Sequence, residues 1–190
     1  ENYTVKNYKT EKCNNLYAFI FERTFSITKG VIGLIIQLSA ISTETMEPLQ
    51  KLLRNNSKIL YSGIYPERPK QLFDGACIAL TIQFCFINNF NNKLYSCGIN
   101  RTSEKHRIFL FDSVSYINCL EQSIQDSYLF PKFKSIIEKN IFNKIKLQKH
   151  IKNYLSNSLS SKNSIYYRTA GGRYWKIFLT RDFKNISTSN

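Results

Sequence analysis

Three consecutive stretches decide the architecture of this chain: GVIGLIIQLS at 30–39, STETMEPLQKLL at 42–53 and ILYSGIYPERPKQLFDGACIALTI at 59–82. The first is an almost unbroken apolar run behind a glycine turn. Val31 to Leu38 is therefore expected to be a strand buried on both faces. In the second, Ser42 and Thr43 precede Glu44 and Glu47, acids that complement the positive amino-terminal end of a helix expected to reach about Arg54. The third opens with a strand from Lys58 to Gly63. It continues through a loop whose Pro66 and Pro69 exclude regular structure, and ends in a long strand, Ala76 to Ile87.

On the amino-terminal side, Asn14 or Asn15 can cap a helix running to about Ile27, with Leu16, Phe19, Ile20, Arg23 and Ile27 along one side. Glu22 and Arg23 on it read as a surface ion pair. On the carboxyl-terminal side, the asparagine-rich 88–92 reads as a hairpin loop into Lys93–Ile99. Helix and strand alternate and then give way to a hairpin. That order predicts an α/β fold with a doubly wound sheet and an antiparallel edge. Beyond Arg101 the pattern weakens, with a short helix expected at Glu104–Phe111 and a longer amphipathic one from Lys134 to about Leu155, its basic side in water. A hairpin is expected where 165–168 and 173–178 flank Gly171-Gly172.

A chain of 190 residues with 43% hydrophobic content can bury a sizeable core. The apolar runs at 31–38 and 76–87 are far too short to cross a bilayer. Five scattered cysteines, at 13, 77, 85, 97 and 119, show no paired spacing, and His106 and His150 stand apart from them. This favours a reducing, cytoplasmic setting and argues against a metal site. The formal net charge of +14 is uneven: residues 1–100 hold 11 basic and 7 acidic side chains, and residues 101–190 hold 16 and 6. Such an excess in the second half fits a polyanionic partner, nucleic acid above all, and fits a solvated lysine-rich helix face equally well.

The segments NLYAFIFERTF at 15–25, GLIIQLS at 33–39, RPKQLFDG at 68–75, IALTIQF at 78–84 and IYYRTAGGRYWKIF at 165–178 carry a resemblance through their order and spacing. Together they resemble the C-terminal half of the gamma-type adenine-N6 DNA methyltransferases of restriction–modification systems. The resemblance implies that residues 1–100 form part of an incomplete Rossmann-like class I methyltransferase sheet. It further implies that 101–190, a basic α+β region, begins the part that recognises the DNA target. In that family an Asn-Pro-Pro-Tyr motif holds the adenine amine, the base is flipped out of the duplex, and methyl passes from S-adenosylmethionine. None of those motif residues occurs here, because the four prolines at 48, 66, 69 and 131 make no pair and no glycine-rich donor loop opens a helix. The resemblance thus puts the donor site and catalytic motif before Glu1, in an N-terminal half or partner subunit. It leaves Val31–Leu38 with an unpaired edge.

No residue is expected to be catalytic. Arg68 and Lys70 are candidate phosphate contacts beside a flipped nucleotide, and Phe73 is a candidate wall of the base pocket. Tyr166, Arg168, Arg173, Tyr174 and Trp175 interleave cations with aromatic rings, a pattern suited to phosphates and bases alike. The rival reading is a non-enzymatic nucleic-acid-binding or assembly module of a defence system, which would need no methyl donor.

Overall fold

Asn15 starts the first helix as expected, its side chain accepting from the backbone N–H of Tyr17. The computed structural model describes residues 7–88, 93–119, 130–149 and Asn153. The chain divides into two units, Glu1–Leu147 and Gln148–Asn190, and the elements below belong to the first. Helix α1 is Leu16–Ile27, strand β1 is Val31–Gln37, helix α2 is Glu47–Asn56, and strands β2, β3, β4 and β5 are Ile59–Tyr65, Leu80–Phe86, Lys93–Ile99 and Ile117–Asn118. Helix α3 is Ile136–Lys146.

These strands form one mixed five-stranded sheet in the order β1-β3-β2-β4-β5. Strand β3 is antiparallel to both β1 and β2, so β1 and β2 run the same way with a reversed strand between them. The connection from β1 through α2 to β2 is therefore a parallel crossover. Strand β4 pairs in parallel with the far side of β2, and β5 closes that end antiparallel to β4. Among the described residues β1 is the terminal strand at the other end.

Two expectations are corrected here. Strands β3 and β4 do not form a hairpin, because β2 lies between them. The six residues 87–92 that join them can reach about 20 Å, ample for the roughly 10 Å that stepping over one strand requires. Nor is β1 covered on both faces. Ile32 and Ile36 are buried while Val31, Gly33, Ile35 and Gln37 are exposed. An all-apolar strand carries no mark of which face is covered, and here the two helices lie on one face only.

That covered face holds the core. Ala18 and Phe21 of α1, Leu49, Leu52 and Leu53 of α2, and Ile32, Ile36, Cys85, Leu60, Ile64 and Leu94 of the sheet form one buried cluster. Each large side chain fully buried here contributes about 1.5–3 kcal/mol. The row Leu16, Ile20, Arg23 and Ile27 faces outward instead, since Tyr17, Ala18, Phe21 and Phe25 turn inward. Glu22 forms no surface pair with Arg23. Its carboxylate accepts from the backbone N–H groups of Lys9 and Thr10 at 2.9 Å each and from the Thr10 hydroxyl at 2.8 Å, tying the buried Thr10 to α1.

Two buried glutamines make local hydrogen bonds within this core. Gln50, buried in α2, donates to the carbonyls of Ala40 and Thr43, which holds the turn after β1 against the helix. Gln83 on β3 donates to the hydroxyl of Ser62 on the neighbouring β2 and to that of Thr81 on its own strand. The segment leading to α3 then crosses β4 so closely that only a glycine fits beneath it. A Cβ on Gly98 would lie 2.4 Å from Cβ and 2.8 Å from Cα of Lys134.

Candidate nucleic-acid interface

Strands β1, β2 and β4 share one direction, so Gln37, Tyr65 and Ile99 end at the same edge of the sheet. In open α/β sheets, ligands gather outside the carboxyl ends of parallel strands. The loop 66–79 leaves Tyr65 and returns at Leu80 on this edge, both of them level with Gln37. It is anchored by Leu72, which packs in a second buried cluster with Tyr65, Leu80 and Leu110. Gly75 turns the loop at φ 82°, a left-handed value that suits a residue without Cβ.

The structure sorts the loop candidates by environment. Arg68 is exposed, and so is the ring of Phe73. Lys70 is held: its ammonium lies 2.6 Å from Glu104 and 3.3 Å from Asp74. The Arg107 guanidinium in turn contacts Asp74 at 2.7 Å and donates to the carbonyl of Leu72 at 3.1 Å. The contacts with Glu104 and then Asp74 raise the Lys70 pKa. Those with Arg107 and then Lys70 lower that of Asp74. All four groups reach water, so the cluster latches the loop to the 3₁₀ turn Glu104–Phe109 more than it stabilises the fold.

The same edge carries cations that the sequence reading did not single out. Asn100, just past β4, donates from its side chain to the carbonyls of Ile64 and Gly98 and to the sulfur of Cys97. This fixes where Arg101 leaves the sheet, and Arg101 and Lys105 are both exposed. Lys132 donates to the hydroxyl of Ser42, in the turn that follows β1. Burial lowers its pKa. A run such as Arg101, Lys105 and Arg107 directly after a strand was the available signal. Tyr166, Arg168, Arg173, Tyr174 and Trp175 lie outside the described residues.

Behind the edge, on the face away from α1 and α2, an open groove of about 420 Å³ is lined by Gly33, Ile35, Tyr65, Ile82, Phe84 and Tyr116 among others. A Cβ on Gly33 would sit 2.9 Å from the Phe84 ring, so this glycine lets the ring lie across β1. Burial, followed by the neighbouring Tyr116, raises the Tyr65 pKa, and burial raises that of Tyr116.

Among the described residues no group of three His, Cys, Asp or Glu is placed to hold a metal ion, and no helix is long and apolar enough to cross a membrane. The turn after β1, Leu38–Ile41, holds no glycine and buries Ala40 and Ile41. No family model and no curated protein matches this chain.

Proposed function

We propose that this chain is the C-terminal part of a site-specific DNA methyltransferase acting on adenine N6, with S-adenosylmethionine held by residues outside those described. The observation that carries the reading is the parallel crossover β1–α2–β2 with reversed β3 inserted. It falls on the same segments, 33–39 and 78–84, that resemble the methyltransferase sequence pattern. The loop 68–75 leaves the carboxyl edge of that sheet, where a Rossmann-like enzyme takes its substrate. S-adenosylmethionine would supply an electrophilic methyl group. The residues of this chain would hold DNA.

In this reading Arg68, Arg101 and Lys105 neutralise phosphates, and Lys70 and Arg107 position the loop through Asp74 and Glu104. The exposed Phe73 ring borders the space for an extruded base. Arg168 and Arg173, with the rings of Tyr166, Tyr174 and Trp175, are further candidate DNA contacts.

Two measurements test the proposal. In a tritiated methyl-transfer assay on adenine-containing duplex, the isolated chain is expected to show no activity. Joined to an N-terminal half or partner subunit that carries Asn-Pro-Pro-Tyr or Asn-Pro-Pro-Phe, it is expected to methylate, and failure to do so with every such partner refutes the reading. In a fluorescence anisotropy titration over a salt series, log affinity for duplex should fall linearly with log salt, at about 0.9 per phosphate contacted. Replacing Arg68, Arg101 and Lys105 with alanine should flatten the slope by about one for each lost contact. A flat response in the parent chain rules out the DNA interface.

A further inference from the structure

Helix α3 is turned the wrong way round for a core helix. Its one buried residue among those described is Lys139, which donates to the carbonyl of Asn118; Phe142 is 38% exposed, with its ring 5.4 Å from that of Phe133. Facing outward are Ile137 (66% exposed), Ile141 (51%) and Ile145 (63%). Spaced four apart, they form a single ridge on one side of the helix. The cap is well made: Ser135 accepts from the N–H of Glu138, whose carboxylate turns back to the N–H of Lys134 at 2.6 Å. The helix is thus firmly placed with its apolar row outward.

We propose that this isoleucine row is a docking surface for an acidic amphipathic helix of a partner protein. Shape comes first. An 11-residue helix is about 16 Å long and presents a strip about one helix wide. That is far short of the ~800 Å² per partner expected in a stable dimer, but enough for a second helix whose own i, i+4 ridge meets it. Charge comes second. Exposed Lys134 and Lys144, with Lys146, outnumber Glu138 on and just before the helix, and the chain carries +14 overall, so two copies repel and an acidic helix is attracted.

The test uses the full 190-residue chain and two labelled synthetic peptides. Both are helical with leucines at i, i+4 and i+8, one rimmed by glutamates and the other by lysines. Anisotropy is expected to show saturable binding of the glutamate peptide, at least tenfold weaker binding of the lysine peptide, and at least a tenfold loss with Ile141→Asp. The thermal midpoint of that variant should equal that of the parent, because Ile141 lies outside the core. Equal affinity for both peptides, or no binding of either, overturns the proposal. So does a drop in midpoint for both Ile141→Asp and the milder Ile137→Ser, which would mean that the chain's own residues cover the row. A dimer in sedimentation velocity that Ile141→Asp dissolves would assign the surface to a second copy. Sedimentation with phosphatidylserine vesicles that the same variant abolishes would assign it to a membrane. Either result overturns the proposal. None of these outcomes depends on whether the chain binds DNA.

Discussion

Gly98→Ala should cost about 1–3 kcal/mol, although it adds a single methyl group. The new Cβ would sit 2.4 Å from Lys134 Cβ, 2.8 Å from its Cα and 3.0 Å from its backbone nitrogen. Carbon atoms settle at about 3.5–4.0 Å, so the crossing segment must retreat by more than about 1 Å. Backbone, not the tip of a side chain, blocks the way, and the segment has few routes out. Phe133 is buried in the main core, and the hydroxyl of Ser96 donates to the carbonyl of Pro131. A retreat draws both away and falls in the usual cost of overpacking, about 1–3 kcal/mol. At this chain length that lowers the melting midpoint by about 2–4 °C per kcal/mol. Gly30→Ala is the control, since nothing lies within 4 Å of its Cβ position, and it should change stability by no more than about 0.5 kcal/mol. Urea unfolding of both variants, with hydrogen exchange read at 131–146, separates the outcomes. If Gly98→Ala matches Gly30→Ala within error, the close crossing of β4 is wrong.

Two further outcomes follow from buried groups. Glu22→Ala should destabilise by about 1–3 kcal/mol, because the buried Thr10 then loses the acceptor for its N–H and hydroxyl; a urea midpoint equal to that of Arg23→Ala would refute this. Cys77 is exposed, whereas burial pushes the Cys85 thiol up to about 12. Iodoacetamide at pH 8 should therefore label Cys77 first and reach Cys85 only on unfolding, as mass mapping along a denaturant series would show.

The sequence by itself determined what short-range chemistry controls. Asn15 as a cap, the acids before Leu49 and the apolar runs around Ile35 and Ile82 all signal local hydrogen bonding or local periodicity. The helices and strands of 15–99 accordingly stand close to where the pattern puts them, except that the strand expected from Ala76 begins at Leu80, so that the loop with the two prolines runs 66–79. What only the tertiary structure decided is which strand neighbours which, and which face is covered. Strand β4 joins β2 and not β3 because pairing depends on edges left open elsewhere in the sheet, which no property of 80–99 records. Val31, Ile35, Ile137 and Ile141 are as apolar as any core residue, and their exposure follows from where α1, α2 and β5 happen to pack. The candidate interface divides in the same way. Arg68 and Lys70 were visible as cations in a loop, but Lys70 is neutralised by Glu104, a partner 34 positions away that only folding brings within 2.6 Å.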